Sequence, residues 1–176
     1  VISGTNGKTT TTKMVVELLE SQGLRVFTNR TGSNFTRGVA AALLGDIDLR
    51  GKLHADIAVL ELDEAHAVHF VKVVPPRYSL ILNVMRDQLD RFGEIDTTRS
   101  LLETIAASTT DTVVLNREDS RIASIASSLT NKQSVSYFGL SPDLTQLFPS
   151  DDDLHGISNA ASPTIAADVT LQSFSG

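Results

Sequence analysis

Near its start the chain carries Gly4-Thr5-Asn6-Gly7-Lys8-Thr9, two glycines, a lysine and a threonine in the spacing of a phosphate-binding loop (P-loop). Glycines let backbone N–H groups turn inward around phosphate oxygens, and a helix opening directly after the loop adds the positive end of its dipole. Lys8 can then reach the β- and γ-phosphates while the Thr9 hydroxyl can ligate magnesium. With glycine at about 7% of residues, an accidental G-x-x-G-K-[ST] match in a chain of this length is on the order of one in a hundred. The strict pattern has one more glycine, at the position held here by Ile2. The alternative is a glycine-rich turn that only caps a helix.

A second group of polar residues stands where strands should end. The apolar run at residues 57–60 delivers Glu61 to the mouth of the cradle, where a nucleotide-bound metal needs an oxygen ligand. The bland alternative makes Glu61, Asp63 and Glu64 a solvated helix start. Thr28, Asn29, Asn83 and Asn116 also end apolar runs, and in an open parallel sheet the crevice beyond the carboxyl ends of the strands is where ligands sit. Residues 29–34 (NRTGSN) can present amide and guanidinium groups to an anionic substrate, or simply connect two elements. Residues 86–91 (RDQLDR) follow Asn83 and read either as site residues or as a salt-bridged loop leading into a helix. His66 and His69 are three apart, yet no third ligand is near, which favours structural or exposed roles.

Elements that could position these groups are visible. Short β-rich runs near residues 1–3, 24–28, 56–62, 78–83, 112–116 and 134–138 alternate with helical patterns at 8–22, 36–44, 97–107 and 119–129. That alternation predicts an α/β fold, doubly wound around a mostly parallel sheet. Residues 8–22 carry Met14, Val15, Leu18 and Leu19 at helical spacing and stop before Gly23, a good residue just past a helix end; 36–44 ends at Gly45. Residues 57–60 and 80–82 are continuously apolar, as strands buried on both faces are. Residues 1–140 therefore read as one nucleotide-binding unit. Residues 141–167 are an acidic Ser/Pro-rich loop, and the alternation at 168–174 opens a further strand or subdomain within 168–176. The start, three residues before a turn that ordinarily follows a complete strand, and this late strand together suggest a piece of a longer protein.

Composition narrows the class. At 176 residues with 41% apolar content the chain is long enough for a real core and for one domain. No apolar run is long enough to span a membrane and no secretory leader is visible, so a cytoplasmic location is expected. Without cysteine there is no disulfide or thiolate zinc site, and zinc is not expected; any metal should be oxygen-bound magnesium. The net charge is −6, of which residues 133–176 carry −5, leaving −1 for the rest. No basic stripe argues for nucleic-acid binding.

Taken together, GTNGKTTT at 4–11, LELDEA at 60–65, NVMRDQLDRFGE at 83–94 and VLNRED at 114–119 resemble the central ATPase domain of the Mur ligase family. NRTGSNFTRG at 29–38 with DQLDR at 87–91 is similar, more narrowly, to the MurT-type synthetase subunits of lipid II isoglutaminyl synthases. The resemblance covers roughly residues 1–140. It implies that Thr5, Asn6, Gly7, Lys8, Thr9 and Thr10 hold the ATP triphosphate, with Asn116 a further nucleotide contact, and that Thr9 and Glu61 hold magnesium. Asn34 takes the place of an asparagine near the transferred phosphate, and Gln88 that of a metal-proximal histidine. Lys8, Glu61, Asn34 and Gln88 are thereby the catalytic candidates. The implied chemistry is ATP-dependent activation of a carboxylate as an acyl phosphate, followed by amide formation. For MurT-type enzymes the carboxylate is the D-glutamate α-carboxyl of lipid II and the nitrogen is ammonia from a GatD-like glutaminase partner. The cysteines of the zinc ribbon usual in that group are absent here, as is the family's C-terminal domain. No lysine lies between Lys72 and Lys132 to become the carbamylated lysine of several amino-acid-adding ligases. The other readings are an amino-acid-adding Mur or folylpolyglutamate-type ligase, and a nucleotide-binding module without catalysis.

Overall fold

A computed structural model of the chain describes residues 1–29, 36–85, 94–130, 132–141, 144 and 165–171. The expectations placed on Asn34, on Gln88 with its neighbours at 86–91, and on most of the acidic stretch lie outside those residues. In chain order the elements are β1 (Ile2–Ser3), α1 (Lys8–Ser21), β2 (Val26–Thr28), α2 (Thr36–Asp46), β3 (Ile57–Val59), α3 (Glu64–Val73), β4 (Tyr78–Ile81), α4 (Glu94–Ala107), β5 (Thr112–Asn116), α5 (Ser120–Ala123, continued as a 3₁₀ turn over Ser124–Ser128), β6 (Ser134–Leu140) and β7 (Val169–Leu171).

Among the described residues every strand pairing is parallel. Five strands run β1-β4-β5-β6-β7 and two more run β2-β3. The two sets join where Ile2 N–H donates to the Leu60 carbonyl (2.8 Å) and Leu62 N–H donates to the Ile2 carbonyl (3.1 Å). The continuous order is therefore β2-β3-β1-β4-β5-β6-β7. Parallel crossovers are right-handed, so the direction in which the chain moves along the sheet decides which face its helix covers. Only the step from β1 to β2 runs one way; all later steps run the other. Among the described residues α1 accordingly lies alone on one face against β1, β2 and β3, while α2 packs on α3 and α3 on α4 across the other.

The two cores follow this division. Val16 of α1 packs with Ile2, Val59 and Leu82. On the opposite face Leu62, Val71, Ile81, Leu102, Ile105, Val113, Leu115 and Ile122 form the main core and are fully buried. The helix at 8–22 ends as expected: Gly23, at φ +85°, donates to the Glu20 carbonyl and Leu24 N–H to that of Leu19, a Schellman closure that only a residue tolerant of positive φ makes without strain. Its apolar stripe is wider than its contact, because Thr12 and Val16 are buried whereas Met14 and Leu18 are exposed. α2 continues through Gly45 to Asp46, and 119–129 divides into one helical turn and a 3₁₀ segment. α3 is missing from the periodic pattern read above and enters there only as the alternative in which Glu61, Asp63 and Glu64 open a solvated helix. Val169–Leu171 pairs with β6, so the late strand joins the same sheet. No helix among the described residues is long and apolar enough to cross a membrane.

Candidate active site

The chain leaves β1 toward one face and β3 toward the other, and these strands are neighbours, so a crevice opens between their carboxyl ends. Thr5, Asn6, Gly7, Lys8, Thr9, Thr10 and Glu61 line a cavity of about 370 Å³ there. The loop turns on two glycines with positive φ. At Gly4 (φ +141°) an added Cβ would meet the Asn83 nitrogen and Leu82 Cβ at 3.0 Å, and Gly7 (φ +82°) is the N-cap of α1. α3 and α5 are capped by the Asp63 and Asp119 carboxylates; α1 has no side-chain cap and no acid in its first turn. The first N–H groups of a helix have no intrahelical partner, so those opening α1 face the cavity as donors suited to an anion.

Lys8 Nζ folds back over the loop, donating to the carbonyls of Gly4 (2.5 Å) and Thr5 (3.0 Å), and lies 3.6 Å from Glu64 Oε1. Thr9 Oγ1 donates to Glu61 Oε1 at 2.8 Å. Two hard oxygen donors thus touch beside the cradle, a pair whose chemistry fits a magnesium ion that takes its other ligands from phosphates and water. No cluster of three or more metal-ligating side chains occurs among the described residues. Glu64 sits in the first turn of α3; burial pushes its carboxyl above the usual range, with Lys8 pulling against that rise.

Site residues expected from sequence separate into two kinds. Gly7, Lys8, Thr9, Thr10 and Glu61 face the cavity. Thr5 and Asn6 line it too, but their N–H groups are engaged elsewhere, by the Asn83 carbonyl (3.0 Å) and Asn83 Oδ1 (2.9 Å). Asn116 donates to the Leu82 carbonyl and accepts from Glu118 N–H, both at 2.9 Å. Asp63 is a helix cap, as the solvated-start reading would have it, accepting from Ala65 N–H, whereas Glu61 is not. Glu64 reads from the sequence only as part of a solvated helix start, yet it lies 3.6 Å from Lys8 Nζ. Its signal was its place one residue after a capping aspartate, which aims a first-turn carboxylate back toward the strand ends.

A family model for the Mur ligase middle domain matches residues 2–160. The MurT subunit of the lipid II isoglutaminyl synthase of Streptococcus pneumoniae is 42% identical over 117 residues, 66% of this chain and 26% of that protein. Its counterpart in Staphylococcus aureus is 37% identical over 106 residues, 60% of this chain and 23% of that one. The chain thus spans about a quarter of the length of these relatives. Among solved structures, the MurF ligase of Thermotoga maritima in complex with ADP superposes with a TM-score of 0.64 at 23% identity, over 78% of this chain and 31% of that one. A family match over most of its length, on a parallel sheet of the same fold, makes this chain a middle domain of the Mur ligase family.

Proposed function

We propose that this chain is the ATP-binding domain of a MurT-type amide-forming ligase. In this reading ATP phosphorylates a carboxylate and ammonia displaces the phosphate, with the D-glutamate α-carboxyl of lipid II as acceptor and a GatD-like glutaminase subunit as ammonia source. The observation that carries it is the uncapped N-terminus of α1, set between Lys8 and the Thr9–Glu61 pair at the switch point of the sheet. The two MurT relatives support the finer assignment.

Phosphoryl transfer to a carboxylate sets two anions against each other, so the site must neutralise charge without moving. The N–H groups that open α1 would bind the β- and γ-phosphate oxygens. Lys8, turned from the Gly4 and Thr5 carbonyls to the nucleotide when it binds, would then hold the γ-phosphate oxygens in place. Thr9 and Glu61 would hold a magnesium ion, whose positive charge would offset that of the phosphate oxygens. Asn34 and Gln88 are proposed beside the transferred group, and Asn116 as a further nucleotide contact, on the resemblance alone.

The test is ADP release by the longest native polypeptide containing this chain, with and without ammonia, in the presence of a D-glutamate-containing acceptor. Release that requires both ammonia and acceptor is expected. Release that requires an amino acid instead would assign the domain to an amino-acid-adding ligase, and nucleotide binding without any turnover would leave it a binding module.

A further inference from the structure

Three asparagines end three strands, and none of them simply faces the cavity. Asn29, just past β2, is 7% exposed; its Nδ2 donates to the Glu61 carbonyl (2.7 Å) and its Oδ1 accepts from Glu61 N–H (3.0 Å). Asn83, just past β4, repeats the arrangement on the loop: its Oδ1 accepts from Asn6 N–H (2.9 Å) and its Nδ2 donates to the Asn6 carbonyl (3.1 Å). Asn116, at the end of β5, donates to the carbonyl of Leu82, the residue before Asn83.

A carboxamide has the donor and acceptor of a peptide group, so a two-point pairing to one residue's backbone adds a rung to a ladder after the strand itself has turned away. The β2–β3 ladder ends at Thr28 opposite Val59. Asn29 extends it to Glu61, the residue whose carboxylate meets Thr9. Asn83 does the same from β4, whose own ladder with β1 ends at Ser3 opposite Ile81, and fixes the turn that brings Gly7 and Lys8 to the head of α1. The segment carrying Asn83 is itself held: Val84 N–H donates to Asp119 Oδ2 (2.8 Å) and Met85 N–H to Thr5 Oγ1 (3.2 Å).

The geometry points to a division of labour that rests on the nucleotide-binding reading above: Asn83 is the positioning residue of the phosphate loop, and Asn29 is the positioning residue of the metal-side carboxylate Glu61. Neither touches the reacting atoms. Because they hold different halves of the site, removing each should disturb a different ligand, which general loosening of the fold would not do.

The measurement is binding of a fluorescent non-hydrolysable ATP analogue to the chain, in chelator and across a magnesium titration, with melting curves recorded alongside. Asn83→Ala is expected to weaken analogue binding by about tenfold or more with and without magnesium, the scale of two lost hydrogen bonds on a ligand-gripping loop. Asn29→Ala is expected to leave binding in chelator within about twofold while raising the magnesium midpoint by about fivefold or more, since only the ligand Glu61 has lost its register. Asn83→Gln and Asn29→Gln keep the amide and the bulk but displace it by a methylene, and should reproduce the same two patterns if the alanine variants fail to fold. Variants that bind analogue and magnesium as the parent does, or two variants that shift both ligands alike, would overturn the assignment while leaving the nucleotide site standing. Absence of analogue binding by the unaltered chain would remove the nucleotide reading, and this inference with it.

Discussion

Lys8 and Glu61 line the cradle and Glu64 stands 3.6 Å from Lys8 Nζ, and each has a separable consequence. Lys8 is the cation aimed at the phosphates, and its amine is now satisfied by two loop carbonyls. In the longest native polypeptide, Lys8→Ala should abolish ADP formation while the chain still folds; turnover at the parent rate would remove the cradle assignment. Glu61→Ala should cost several kcal/mol of transition-state stabilisation and shift the magnesium requirement if its carboxylate is a metal ligand, whereas a loss under about 1 kcal/mol would return it to a solvated strand end. Glu64 behaves differently because burial raises its carboxyl above the ordinary 4.5. The folded state then holds the proton more tightly than the unfolded chain, so stability present below pH 4.5 is lost as pH rises through the folded value. Glu64→Gln, permanently neutral, should melt above the parent at pH 7 and converge with it near pH 4. A lower melting temperature at pH 7 would mean that the contact with Lys8 outweighs the burial.

Among the elements, those with a complete local signal were legible in the sequence and those built by distant partners were not. The helix from Lys8 was readable because its periodic stripe, its glycine-turned start and its Schellman glycine all lie within twenty residues. β5 was readable, to the residue, from a β-branched run closed by Asn116. α3 was not, because its buried positions are only Ala67 and Val71, four apart, in a segment otherwise carrying two histidines and several valines, so periodicity alone does not separate it from a strand or loop. Its cap, Asp63, was visible only as one acid among three. The pairing that sets the ends of β2 and β3 is of the same distant kind: Asp56 accepts from Arg25 N–H (2.9 Å), Nε (3.0 Å) and Nη2 (2.7 Å), thirty-one residues away. Those bonds hold the Asp56 carboxyl at about 2. Its contribution is complete above the ordinary value of 3.8 and is lost as pH falls through about 2, so the parent's melting temperature should drop more steeply from pH 4 to pH 2 than that of Asp56→Asn. Parallel slopes would show the pair to be a surface contact of no consequence, as many exposed pairs are.

For the whole molecule, strand order has an energetic result that no local reading supplies. Because every crossover after the first runs in one direction along the sheet, four of the helices among the described residues crowd one face and, among those residues, α1 alone serves the other. The continuously apolar runs at 57–60 and 80–82 suggested burial on both sides; the structure gives them one complete side and one partial side, with Ile81 at 0% exposure against α3 and α4 and Leu80 only half-buried on the α1 side. These adjacent residues of β4 are of equal size and differ in little but the face they occupy. Ile81→Ala removes a side chain from a closed interior, where the transfer loss is joined by a cavity that neighbouring helices cannot collapse, and should cost about 3–5 kcal/mol. Leu80→Ala removes one that solvent already reaches, so the cavity part falls away and the cost should be about 1–2 kcal/mol. Urea denaturation of both variants, with unchanged m-values to confirm that the same surface unfolds, measures the difference directly. Equal losses would mean that the α1 face is as tightly closed as its opposite, and the one-helix account of that face would have to be abandoned.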